Sequence, residues 1–414
     1  MKHLLFAILI ISIIPAQAQV TEILFIGNSY TYVNDLPLLL KNVALSFGDT
    51  IVSDQNTPGG YQLIQHSTNT TTLSKIASRN WDFVVIQEQS QKPSFSPSQV
   101  ANDVYPYAQI LNDSIKSNYS CSESIFYMTW GRKNGDAGNC ASNPSICTYA
   151  GMQQRLRDSY MQMSSDNNAT TSPVGAAWAT VRDSFPSIEL YAADESHPSI
   201  YGSYLAACVF YATLYQKSPI GSSYIPAAIS LTDALSLQTV ASYTVLDSLL
   251  LWRIGVNLPV ANFNYSGGST INFTSTSTNV INYFWNFGDG NTSTQQNPSN
   301  TYTSSNTYPV KLITFSSDNC FSDTIVQNVN VIISGIDAIN TQKEISIYPN
   351  PATDFIQLKT NLKYTSILIM DVTGETIIRS NYKTSIDISN LTKGIYFVKI
   401  MGEKKPVIKK FVKE

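Results

Sequence analysis

Four consecutive apolar residues, Ile23-Leu24-Phe25-Ile26, run straight into Gly27-Asn28-Ser29, and this stretch constrains the fold more than any other. A run with no polar alternation is a strand buried on both faces, the kind found in parallel sheets covered by helices. It stops at small and polar residues suited to a tight turn. Ligands of open α/β sheets bind at the carboxyl ends of the strands, so Ser29 stands where a nucleophile could be presented. A serine after a strand is more often a turn or N-cap residue. The rest of the chain must therefore supply a base, an orienting acid and an oxyanion hole.

From Val20 to about Pro259 short apolar runs alternate with longer amphipathic ones, the pattern of an α/β domain with a parallel sheet. The further strands are expected at Thr50–Ser53, Trp81–Ile86, Ser124–Trp130 and Ser172–Val174. The main helices are expected at Asp35–Phe47, Pro97–Ser117, Tyr149–Ser164, Ile200–Tyr215 and Thr232–Gly255. After Pro259 the texture turns to Ser, Thr and Asn with alternating apolar positions, which reads as an all-β sandwich. A second boundary falls near Ser334–Thr341. The tail beyond it is strand-like and basic, with eleven Lys and Arg379 against seven acids. Its charges are scattered between strands, so a solvated face is the reading preferred to a nucleic-acid surface.

Lys2 and His3, the apolar Leu4–Ile14 and Ala16-Gln17-Ala18 have the form of a signal peptide with an A-x-A cleavage site. No later run is long enough to span a bilayer. The domains expected are a signal peptide at 1–18, an α/β domain at 19–258, a β-sandwich at 259–333 and a tail domain at 334–414. A net charge of −3 gives no reason to expect a nucleic-acid partner. Five cysteines are too few for a disulfide scaffold. Cys140 and Cys147 flank a short loop and are the expected pair, with Cys121 an alternative partner for either. Cys208 reads as a buried free thiol, and Cys320 lies in a different domain. No Cys/His spacing suggests zinc.

Of three histidines, His3 leaves with the signal peptide, and His66 reads as structural or surface. His197 follows Asp194 by three residues, a turn that can bring the carboxylate to Nδ1 and leave Nε2 facing a serine. On these residues the chain resembles the SGNH (GDSL-type) hydrolases. Gly27-Asn28-Ser29-Tyr30-Thr31 looks like their first block, and Asp194–His197 with Pro198-Ser199 looks like their last. The resemblance covers about residues 20–255 and implies a flavodoxin-like three-layer domain. It also implies catalytic Ser29, Asp194 and His197, and an oxyanion hole of the Ser29 N–H, the N–H of Gly60 (or Gly59) and a side-chain amide. The family's usual Asn in a Gly-x-Asn-Asp block is replaced here by Gln87-Glu88-Gln89. A branch of SGNH-like carbohydrate esterases looks similar, with Gln-Gly-Glu. Gln87 is the expected third donor and Gln89 the alternative; Glu88 would repel an oxyanion. Trp130 could line the pocket or simply pack.

Trp285-Asn286-Phe287-Gly288-Asp289-Gly290 resembles the PKD domain, an immunoglobulin-like β-sandwich, in which a spacer role is expected before glycan binding. Ile345–Asp354 and Leu391–Ile400 resemble the C-terminal sorting domain of type IX secretion cargo, a small C-terminal β-sandwich. That resemblance implies the secretion machinery as partner, passage across an outer membrane, and a secreted or cell-surface location. The combined expectation is a secreted serine esterase acting on acylated, in particular O-acetylated, carbohydrate, with no metal or organic cofactor. Alternatives are a lipid or short-chain ester hydrolase, or a non-catalytic glycan-binding or adhesion protein.

Overall fold

In the computed structural model β1 (Val20–Ile26) is the strand between β2 (Thr50–Asn56) and β3 (Phe83–Ile86), and Ile23–Ile26 are at most 1% exposed. The structure describes residues 20–316, 319–333, 345–360, 363–402 and 406–414. The expected signal peptide and the boundary at 334–341 lie outside the described residues. All five strands of this sheet are parallel, in the order β2-β1-β3-β4-β5, with β4 at Glu123–Tyr127 and β5 at Thr170–Ser172. This is the flavodoxin-like order, and its direction of winding reverses between β1 and β3. The ends of those two strands therefore open the crevice where a ligand is expected.

The helices are α1 (Ser29–Tyr32), α2 (Leu36–Leu45), α3 (Leu63–His66), α4 (Thr70–Ile76), α5 (Pro97–Asp103) and α6 (Tyr105–Asn118). They continue with α7 (Tyr149–Asp166), α8 (Val174–Ser184), α9 (Ile200–Tyr215) and α10 (Leu231–Leu246). Helix α9 packs against α2, α8 and α10, while α6 packs against α4 and α7, so the sheet is covered on both faces. Residues 202–214 of α9 are all buried, as an all-round apolar helix must be. The single helix expected over Pro97–Ser117 is two. Pro106 has no N–H to give to residue 102, and the chain breaks at Val104 (φ −127°, ψ −56°). The last helix ends at Leu246, and turns carry the chain to Leu258.

Residues 263–331 form two antiparallel sheets, one of three strands in the order β10 (Ser299–Thr301), β7 (Thr270–Ser275), β6 (Phe263–Gly267), the other of four in the order β12 (Ser322–Val331), β11 (Asn306–Phe315), β8 (Asn282–Asn286), β9 (Thr292–Ser293). β8 is flanked by β11. Trp285 and Phe287 alternate inward on to Phe263 and Phe273, with Trp285–Phe263 centroids 5.0 Å apart. The described chain separates into two compact units, one up to Ile332 and one from Ile333. The second unit is itself a pair of small antiparallel sheets around Ile356, Ile369, Val398, Ile400 and Phe411. Among the described residues no helix is long and apolar enough to cross a membrane.

Cys140 and Cys147 are bonded, and Cys208 is a buried free thiol. Cys121 does not compete for that pair. It bonds Cys320, 199 residues away, and ties the β-sandwich to the turn before β4. That turn lies at the amino ends of the strands, opposite Ser29.

Candidate active site

The turn after β1 is built before Ser29 does anything. Asn28 caps α1, its Oδ1 accepting the Tyr30 N–H at 3.2 Å, while its Nδ2 donates to the Tyr61 carbonyl at 2.9 Å. Gln87, at the end of β3, lies beneath this turn. Its Oε1 accepts the Asn28 N–H (2.9 Å) and the Thr31 hydroxyl (3.0 Å), and its Nε2 donates to Asn28 Oδ1 (3.0 Å) and to the Glu88 carbonyl. Gly27 has to be glycine for this packing, because a Cβ there would stand 2.6 Å from Gln87 Oε1. His66 is completely buried under the same turn, with Nε2 2.9 Å from the Gly27 carbonyl and Nδ1 2.9 Å from the Thr72 hydroxyl. A carbonyl only accepts, so Nε2 carries the proton and the neutral ring takes the Thr72 proton at Nδ1. Burial pushes its pKa below the usual histidine value, outweighing the Gly27 bond. His66 holds the turn from below.

Ser29 opens α1 and faces the loop before α9. His197 Nε2 is 2.8 Å from Ser29 Oγ, and His197 Nδ1 is hydrogen-bonded to Asp194 Oδ2. The other Asp194 oxygen accepts the backbone N–H groups of Ser196 (3.1 Å) and His197 (3.0 Å). Partial burial works to raise the Asp194 pKa, but bonds from the His197 ring and these two N–H groups hold it below the ordinary value. Behind His197 stands an aromatic stack. Tyr30 lies edge-on to the imidazole at 5.4 Å and flat on Trp130 at 4.8 Å, and Trp130 lies flat on Trp178 at 3.8 Å. Tyr30 Oη meets Ser196 Oγ at 2.6 Å, and Trp130 Nε1 donates to the Ser196 carbonyl at 3.0 Å. Trp130 is fully buried and so packs; it does not line a pocket.

The expected third oxyanion donor is where geometry corrects the sequence reading. Gln87 is wholly buried and both ends of its carboxamide are spent on the turn, so its amide has no hydrogen to offer a substrate oxygen. Gln89 is also engaged: its Oε1 accepts from Gln91 N–H (2.9 Å) and Lys92 N–H (3.3 Å), and its Nε2 faces Ser90 Oγ and Gln91 Oε1. Glu88 points inward, accepting the Leu63 N–H on both oxygens at 3.2 Å, and burial raises its pKa to about 8. Gly60 is exposed at φ +73°, in the loop joined to the Ser29 turn through Asn28 and Tyr61. The backbone N–H groups of Ser29 and Gly60 have no protein acceptor among the described residues. Asn28, Tyr30 and Ser196 carry this architecture and were not singled out in the sequence. Their only local signal is adjacency to Ser29 and His197.

Such an arrangement can transfer a proton from Ser29 to an imidazole whose other nitrogen is anchored by a carboxylate. Residues 259–331 match the model of the PKD domain, and residues 346–414 match the secretion system C-terminal sorting domain. No curated protein matches the chain. Solved structures resemble its N-terminal part. One is a DUF4886 family protein from Bacteroides uniformis, 18% identical over 55% of this chain and 95% of that one (TM-score 0.48). Another, from Slackia heliotrinireducens and assigned to the SGNH hydrolases, is 29% identical over 47% of this chain and all of that one (TM-score 0.39). An acetyl xylan esterase from Geobacillus stearothermophilus is 16% identical over 50% and 97% (TM-score 0.32).

Proposed function

We propose that the chain is an exported serine esterase of the SGNH type that removes acyl groups from carbohydrate. The observation that carries this reading is the chain of contacts Ser29 Oγ–His197 Nε2–His197 Nδ1–Asp194, on the carboxyl edge of the sheet at its switch point. Ser29 Oγ attacks the ester carbonyl while His197 takes its proton, and Asp194 keeps the Nδ1–H tautomer and stabilises the imidazolium. The tetrahedral oxyanion is held by the backbone N–H groups of Ser29 and Gly60. His197 then protonates the leaving alcohol, and water, deprotonated by the same ring, releases the acid and restores Ser29. Nothing in these steps calls for a metal or organic cofactor.

The sorting domain at 346–414 supports export by the type IX route, to the cell surface or beyond. An exported, modular chain with few charges favours carbohydrate as the carrier of the ester. The test is hydrolysis of 4-nitrophenyl acetate and of acetylated xylan by the mature protein. Turnover abolished by Ser29→Ala supports the reading; turnover unaffected by that change overturns it.

A further inference from the structure

The loop after β4 does more than close the domain. Lys133 N–H donates to the Glu195 carbonyl (3.0 Å) and Asn134 Nδ2 to the Glu195 carboxylate (2.9 Å), so residues 130–134 lie along the loop that carries Asp194 and His197. Arg132 stands in this stretch, two residues beyond the tryptophan stacked on Tyr30. Its side chain is 34% exposed, yet its partner Asp136 is completely buried, 3.4 Å from Nη1. The Asp136 carboxylate also accepts from Gln91 Nε2 (2.6 Å) and Asn139 Nδ2 (2.8 Å), and the Asp136 N–H donates to the Ile146 carbonyl. The loop is closed between Cys140 and Cys147. The pair therefore turns its positive end outward and its negative end in.

The guanidinium is also under-used. Arg132 Nε is buried without an acceptor, and Nη2 has none among the described residues. A guanidinium has five N–H donors in a planar fork that matches a carboxylate; Nε is closed off by burial, and the Nη donors not turned to Asp136 belong to a side chain that is one-third exposed and are the ones an anion would use. Through Asp136 and Gln91 the fork is tied to the loop after β3, and the residues that follow Arg132, Lys133 and Asn134, tie its own loop to Glu195 beside the acid and base. Its charge reaches the Tyr30 hydroxyl, where it opposes the rise that burial imposes on that group.

We propose that Arg132 is an anion subsite of the Ser29 cleft, and that the acylated substrate carries a carboxylate, as in an O-acetylated uronic acid. This rests on the esterase reading above and narrows its substrate class. The experiment compares kcat/KM of the full mature protein on O-acetylated glucuronate and O-acetylated glucose, beside 4-nitrophenyl acetate as a neutral reporter. The wild type is expected to prefer the glucuronate ester at least tenfold, with the preference shrinking as salt is raised. Arg132→Gln should bring the ratio of the two sugar esters close to one, mainly through KM, and Arg132→Lys should fall between. A ratio near one in the wild type, or one untouched by Arg132→Gln, overturns the subsite. Absence of 4-nitrophenyl acetate hydrolysis would instead strike the esterase reading. The subsite is then judged by titrating Ser29→Ala protein with free glucuronate and glucose, following tryptophan fluorescence. Saturable binding of glucuronate alone, lost in Ser29→Ala/Arg132→Gln, supports it, and equal or no response to the two sugars rejects it.

Discussion

Gln87 Oε1 accepts the backbone N–H of Asn28 at 2.9 Å, so the residue that follows β3 sets the turn that follows β1. The two strands are neighbours in the sheet, and this one carboxamide fixes the angle at which Ser29 leaves it. Gln87→Ala strands the Asn28 N–H in a dry site, at a cost of about 1–3 kcal/mol of stability. Displacing Ser29, the proposed nucleophile, by about 1 Å should lower kcat by about 10²-fold with KM little changed. Steady-state kinetics on 4-nitrophenyl acetate, read beside the melting temperature, separate the two effects. A lower melting temperature with full kcat in the folded protein would leave Gln87 a merely structural residue.

In the proposed mechanism Asp194 acts through His197. An asparagine there would present an amide hydrogen toward Nδ1, so the ring would turn its proton to Nε2 and could no longer accept from Ser29. Asp194→Asn should then lose about 10⁴-fold in kcat while folding normally. Because its contacts hold the Asp194 pKa low, activity lost on mild acidification should not come from this carboxylate. A pH profile in which Asp194→Asn retains wild-type kcat would rule out the triad.

Glu88 gives stability a pH dependence of defined sign. Its pKa is raised from 4.5 to about 8 by burial, so between these values the folded chain holds a proton that the unfolded chain has released. The contribution is full below pH 4.5, declines as pH rises, and is gone above about pH 8. The slope is at most about 1.4 kcal/mol per pH unit. Glu88→Gln, neutral throughout, should flatten the curve of melting temperature against pH over this window. An unchanged slope in that variant would show that Glu88 is ionised in the folded protein.

How much of this was readable beforehand follows from sequence distance. The strand at Ile23–Ile26, the β/α alternation and the two C-terminal sandwiches are local patterns, and the chain folds in that form. Asp194 and His197 are three residues apart, so their contact needs only a turn, which Glu195 makes at φ +58°. Gln87 was misread because its partner is 59 residues away: whether an amide points at a substrate or at Asn28 depends on how two loops meet. The Cys121–Cys320 bond was missed for the same reason at greater range, since no spacing rule links a turn before β4 to a loop of another domain. Arg132 gives no local signal, because the role proposed for it rests on a buried partner, Asp136, and on how its loop meets those of Gln91 and Glu195.

That long-range bond carries the last expectation. Closing a loop of 199 residues restricts the unfolded chain, a stabilisation of about 5 kcal/mol at most in the chain-entropy picture. Reductant would also open Cys140–Cys147, so the clean comparison is Cys121→Ser/Cys320→Ser in the mature protein. Its melting temperature should fall by about 5–10 °C. In calorimetry the β-sandwich should melt apart from the α/β domain, whereas in the wild type the two are expected to melt together. The staple lies at the amino ends of the strands and Ser29 at the carboxyl end of β1, so kcat on 4-nitrophenyl acetate should be unchanged at 25 °C. An identical calorimetric trace would mean that the interface between the two domains holds them together without the disulfide.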